Sequence, residues 1–146
     1  MTDNNDVQTR SIVRNVWMSL AIFLSIFGNL LLIMVISRRQ RFHNVTNVYN
    51  LNLSFSDLLK VIFYIPVYLI VAERRSWPYG LGGCQALNVI LYTSFGVTVL
   101  TLMSLSFERY HLILHPTKKQ MTVKKALITV VITWLASLSV NLCMIP

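Results

Sequence analysis

From Gln85 to Phe107 the chain runs without a single Asp, Glu, Lys or Arg. An uncharged apolar stretch of that length has essentially one destination, a helix crossing a bilayer, because lipid offers no partner for backbone groups left outside a helix. The stretch opens after Cys84 and closes on Glu108-Arg109-Tyr110. At ~1.5 Å per residue, Cys84 and Arg109 are separated by roughly 37 Å, more than the ~30 Å of a hydrocarbon core. One helix therefore places a thiol at one water interface and an acid–base pair at the other.

Three further apolar runs flank it, so the expected spans are 13–36, 47–71, 84–110 and 126–146. Only 12% of the residues are charged, about half the usual soluble share, and they are bunched between these runs. The fold class read from this pattern is an all-α membrane protein embedded in the lipid bilayer. The net charge of +8 would suit a nucleic-acid partner, but the basic residues flank apolar segments, as they do at a cytoplasmic membrane face. Nucleic acid is excluded on that ground. The chain has no HExxH, no GxSxG and no glycine-rich phosphate loop, and its two cysteines, Cys84 and Cys143, form no CxxC. Nothing in it reads as an enzyme or as a protein metal cluster.

Sidedness follows from charge. The first span ends in Arg38, Arg39 and Arg41, a stop-transfer pattern. It is also too long for the ~7–15-residue apolar core of a signal peptide. The N-terminus is thus placed outside. Residues 1–12 form a polar outer tail without apolar periodicity, for which no ordered structure is expected. Residues 37–46 and 111–125 are inner loops, and 72–83 is an outer loop with Trp77, Pro78 and several glycines. Arg74 and Arg75 run against the rule, yet the inner loops hold more cations, including Lys118, Lys119, Lys124 and Lys125. Asn44-Val45-Thr46 matches a glycosylation sequon but lies on the inner side and is discounted. No internal repeat is visible, which weighs against a repeat-built transporter.

Polar residues inside the spans mark interior positions. Asp57 and Lys60 each cost ~2.5–3.5 kcal/mol near a bilayer centre on insertion scales. Asp57 lies roughly 15 Å in from the inner end of its span, and Asn29 lies roughly 13 Å in on the preceding one. They are either joined by a structural hydrogen bond or part of an intramembrane functional site, the default for a buried carboxylate. Gly28 is expected at a close helix contact, and Pro66 should bend the outer half of the second span.

Taken in order, these residues resemble the first half of a rhodopsin-like (class A) G-protein-coupled receptor. The resemblance rests on Gly28-Asn29, Thr46-Asn47, and Leu51-Asn52-Leu53-Ser54-Phe55-Ser56-Asp57-Leu58. It continues through the Trp77 loop, Cys84, Glu108-Arg109-Tyr110, Pro116 and Trp134. Each piece alone is weak; together, at the family's spacing and on segments already read as membrane helices, they are specific. The resemblance implies four helices of a seven-helix bundle, an incomplete set. It implies a plasma-membrane protein with its N-terminus outside that converts ligand binding into activation of a heterotrimeric G protein.

The same resemblance implies roles. Glu108 would hold Arg109 at rest, with Tyr110 and Pro116 completing the coupling surface; a snorkelling interface residue is the plainer reading of Arg109. Cys84 would bond the second outer loop, while Cys143 reads as a small packing residue. Asp57 would bind a sodium ion, with Ser94 and Thr98 supplying hydroxyls from one face of the third helix. Lys60 departs from the pattern. It can reach Asp57 as an i, i+3 pair and compete with sodium, or it can point into the ligand cavity. Leu91 stands where amine receptors carry an aspartate, which argues against an amine ligand. Pro66 and Trp77-Pro78-Tyr79-Gly80 look like peptide receptors, so an extracellular peptide is favoured over a lipid or another small molecule. Leu91, Tyr92 and Trp77 would line its pocket. Arg74 and Arg75 would meet acidic peptide residues or are solvated loop charges. Leu112, where the family usually has alanine, and Thr117, where it often has a bulky hydrophobe, are further departures bearing on coupling. Two competing expectations are a finished four-helix isoform acting as a non-signalling or dominant-negative membrane partner, and an unrelated channel subunit.

Overall fold

The computed structural model describes residues 2–38, 44–74, 76–116 and 120–144, and among them the chain is helical, with no strand. The elements are α1 (Thr2–Arg38), α2 (Val45–Leu59), a π-helical turn (Lys60–Tyr64), α3 (Ile65–Arg74), α4 (Gly80–Leu114) and α5 (Val123–Met144). The second, third and fourth of these form one continuous rod, so four helices are long and apolar enough to cross a membrane.

The helices outrun the apolar runs that define them. The polar segment 1–12 was expected as an irregular tail, but from Thr2 onward it is the first part of α1. Nothing in it stops a helix: it holds no Pro or Gly, and Thr9 and Ser11 return their hydroxyls to the carbonyls of Asn5 and Gln8. At 37 residues, α1 is ~55 Å long, so its polar turns stand in water beyond the lipid. Gly28 does not interrupt it. A Cβ at Gly28 would meet nothing within 4 Å, so this glycine lies against no neighbouring helix among the described residues.

The distortion expected from Pro66 appears one turn earlier. Proline has no N–H, and its ring crowds the carbonyl four residues back, here Ile62. That carbonyl lies within the π turn, which is closed by the Ile65 N–H donating to the Lys60 carbonyl. Widening the turn relieves the clash without breaking the span.

The packing is that of a protein whose solvent is lipid. α4 packs on α5 and α2, α2 also touches α1 and α5, and among the described residues α1 makes no contact with α4. Large apolar side chains such as Phe23, Leu24, Val131 and Leu135 face outward. The seams between helices are small and polar: Asn52, Ser54, Ser56, Thr93, Ser94 and Thr101 are buried. Without a hydrophobic drive between helices, close approach and interhelical hydrogen bonds hold the bundle. Gly96 shows how close α4 and α5 come, because a Cβ there would lie 2.7 Å from Ser137 Oγ and 3.1 Å from Ser137 Cβ. An apolar cluster of Val45, Val48, Tyr49 and Ala126 closes the inner end.

Candidate functional site

One face of α4 carries Ser94, Thr98, Thr101 and Glu108, recurring at three-, four- and seven-residue spacings. Such spacing aligns side chains along one stripe. This stripe meets α2, where Thr98, Thr101 and Glu108 accept side-chain hydrogen bonds from Lys60, Asn52 and Thr46.

At mid-depth, Asp57 and Lys60 form an ion pair, Nζ to Oδ1 at 2.7 Å. The Lys60 ammonium also donates to Thr98 Oγ1 at 3.1 Å. Ser56 shares a 2.9 Å hydrogen bond with the Thr98 hydroxyl and donates to the Ser94 carbonyl at 2.8 Å. Thr98 also reaches that carbonyl, at 2.9 Å. The Ser94 hydroxyl is buried and has no partner among the described residues. Asn29 takes no part: its amide donates to the carbonyl and hydroxyl of Ser25 on its own helix, and it forms no hydrogen bond with Asp57.

The expected sodium ion can be tested against this geometry. Its anchor would be Asp57, with hydroxyls from Ser94 and Thr98. The chain's own ammonium already stands against Asp57 and Thr98, in the place a free cation would take. With Lys60 seated there, these residues do not fit a free ion.

One turn further in, Asn52 joins three helices. It accepts from Trp134 Nε1 of α5 at 2.8 Å and donates to Thr101 Oγ1 of α4 at 2.8 Å. Trp134 also packs on Phe55 with the rings tilted by 58° and their centroids 5.8 Å apart. Trp134 was expected as a structural residue. In the sequence Asn52 stands within the Leu51–Leu58 motif, and the one signal for Thr101 is its place on the polar stripe of α4.

At the inner end, the Glu108 carboxylate does not hold Arg109. It accepts from the Thr46 hydroxyl of α2, at 3.2 Å to one oxygen and 3.1 Å to the other. Arg109 is exposed and makes no ion pair among the described residues. The reason is geometric: consecutive residues on a helix diverge by about 100° and do not face each other. Tyr110 and Pro116 are exposed. A cavity of about 500 Å³ opens here, lined by Asn44, Thr46, Glu108, His111, His115 and Lys125 among others. Arg39, Arg41, Thr117, Lys118 and Lys119 lie outside the described residues.

At the outer end, Cys84 is a half-buried free thiol that accepts a hydrogen bond from Asn88. Trp77 Nε1 donates to the Gly80 carbonyl at 2.6 Å and packs on Tyr79. Gly80 has φ +64°, a conformation that side chains resist; it turns the loop into α4. Tyr64, Tyr68, Trp77, Cys84, Leu87 and Asn88 contribute to a small cavity of about 140 Å³. Leu91 is half-buried and Tyr92 exposed, and neither lines that cavity. Glu73 of α3 accepts from Arg14 at 3.1 Å and Asn15 at 2.7 Å, both on α1. Arg74 is exposed, and Arg75 lies outside the described residues.

Comparison with known proteins gives a consistent picture. Residues 28–145 match the family model for the 7 transmembrane receptor (rhodopsin family). The chain is 32% identical over 120 residues to neuropeptide FF receptor 1 of Homo sapiens, covering 82% of this chain and 28% of that protein. It is 34% identical over 111 residues to neuropeptide FF receptor 2 of Mus musculus, covering 76% and 27%. It is also 34% identical over 122 residues to neuropeptide Y receptor type 6 of Mus musculus, covering 83% and 33%. The chain thus spans 27–33% of the length of these curated relatives.

Proposed function

Since the chain belongs to the rhodopsin family of seven-transmembrane receptors, we propose that it carries the outer and inner working surfaces of a peptide-activated receptor that drives nucleotide exchange on a heterotrimeric G protein. The observation that carries this reading is the relatedness over most of the chain to receptors named for neuropeptides FF and Y. The family is one of receptors and not of enzymes. The multi-pass protein sits in the plasma membrane with its N-terminus outside, a polarity supported by the inner clustering of cations.

In this reading the peptide meets the outer ends of α3 and α4. Trp77 is held rigid by its hydrogen bond to Gly80, and Leu91 and Tyr92 stand deeper on α4. Cys84 fixes the outer end of α4 to the second outer loop of the receptor. The inner surface is Arg109 with Tyr110 and Pro116. Arg109 is exposed and carries no intramolecular ion pair among the described residues, so its five donors are available to a partner. Glu108, tied to Thr46, anchors α4 to α2 beside it.

The test is nucleotide exchange in membranes from cells expressing the protein, with neuropeptide FF and neuropeptide Y as probes. One of them is expected to raise exchange several-fold, and Arg109→Ala to abolish that rise while surface expression and peptide binding persist. If neither peptide binds, the ligand class is wrong. If binding persists and exchange is indifferent to Arg109, the coupling role is wrong.

A further inference from the structure

We propose that Lys60 is a built-in cation: its ammonium permanently fills the intramembrane cation position at Asp57, so that this protein, unlike one with a neutral residue there, is indifferent to sodium at this site. The inference rests on the membrane placement of α2 and α4 and not on the identity of the ligand.

Two contacts carry it. Lys60 Nζ is 2.7 Å from Asp57 Oδ1 and 3.1 Å from Thr98 Oγ1. These are the carboxylate and one of the hydroxyls that a small cation would need. The pairing is intrahelical, i to i+3, so the ammonium is always present at high effective concentration. A free ion must instead be drawn from water, lose its hydration shell and displace a tethered charge. Ejecting Lys60 would also leave an unpaired ammonium in the bundle, and separating two such charges is costly. The tethered cation therefore wins.

A second observation bears on what the position can offer once the lysine is gone. Ser94 is 1% exposed, and its hydroxyl has no hydrogen-bond partner among the described residues. It lies one helical turn from Thr98, whose hydroxyl Lys60 already uses. Replacing Lys60 by methionine keeps the length and apolar stem of the side chain and removes the ammonium. Asp57 is then left without a counter-ion, and Thr98 without its ammonium donor.

The experiment is thermal unfolding of the protein in lipid nanodiscs, in sodium chloride and in choline chloride at equal ionic strength. Choline controls for screening, being too large for the site. The unaltered protein is expected to give the same Tm in both salts. Lys60→Met is expected to melt lower in choline and to regain about 4 °C or more in ~150 mM sodium. Asp57→Asn/Lys60→Met is expected to lose that sodium response, and Lys60→Arg to stay indifferent. Lys60→Gln serves if the methionine variant does not fold. The proposal is overturned if sodium stabilises the unaltered protein as much as Lys60→Met, or if no neutral variant at position 60 responds to sodium. Neither result bears on whether a neuropeptide drives nucleotide exchange.

Discussion

Glu108 and Thr46 are joined across two helices, the threonine hydroxyl lying 3.1 Å and 3.2 Å from the two carboxylate oxygens. The contact ties the last turns of α4 to the first turn of α2. Thr46→Val keeps the shape and removes the donor. It should lower stability by about 1.5–3 kcal/mol, the worth of a hydrogen bond to a charged group, while Thr46→Ser retains most of it. Thermal unfolding in nanodiscs compares the two; equal melting of Thr46→Val and the unaltered protein would show that the contact contributes nothing.

Asn52 serves two partners at once, accepting from Trp134 and donating to Thr101. Asn52→Leu should therefore cost more than either Trp134→Phe or Thr101→Val, each of which is expected to cost about 0.5–2 kcal/mol. The double variant Asn52→Leu/Trp134→Phe should fall short of the sum, because both changes remove the same bond. Additive losses in the double-mutant cycle would contradict a shared network.

The contact between Gly96 and Ser137 is steric. A methyl at Gly96 would press on both Oγ and Cβ of Ser137, and only the hydroxyl can rotate away. Gly96→Ala should destabilise by about 1–3 kcal/mol, and Ser137→Gly should restore part of the loss. Ser137→Ala alone should be neutral or slightly stabilising, because the buried Ser137 hydroxyl has no partner among the described residues. A large loss on Ser137→Ala would mean that the hydroxyl is used.

Glu73 accepts from Arg14 and Asn15, but both partners of the ion pair are substantially open to water, at 32% and 54% side-chain exposure. Such pairs contribute about 0–1 kcal/mol and weaken with salt. Glu73→Gln should leave the overall Tm nearly unchanged. It should speed amide exchange in the outer turns of α1, where no packed bundle supports the helix. Unchanged exchange there would show that the pair does not steady α1.

The four spans, their order and the pairing of Lys60 with Asp57 were legible in the sequence, because charge and hydropathy alone decide which segments enter lipid and a lysine at i+3 can reach its carboxylate. Three features were not. The outward extension of α1 is polar, and hydropathy marks where lipid ends, not where a helix does. The resemblance implies a pairing of Glu108 with Arg109, whereas adjacency on a helix separates side chains and the carboxylate finds Thr46 instead. Asn29 and Asp57 share a depth, but depth does not fix rotation about the helix axis, and Asn29 turns back to Ser25.

The wide turn at Lys60–Tyr64 has a consequence for comparing this chain with its relatives. One residue more than an α-helical turn advances everything beyond it by about 100° around the axis. The inner half of the rod, with Asn52 and Asp57, and the outer half, with Tyr64, Tyr68 and Glu73, are therefore out of phase with each other. A relative whose helix stays α-helical here would present a different face of its outer half to the bundle, even where its letters align one for one. Equivalence of position can be carried between relatives up to Asp57 by counting along the sequence. Beyond Tyr64 it has to be established by superposing structures.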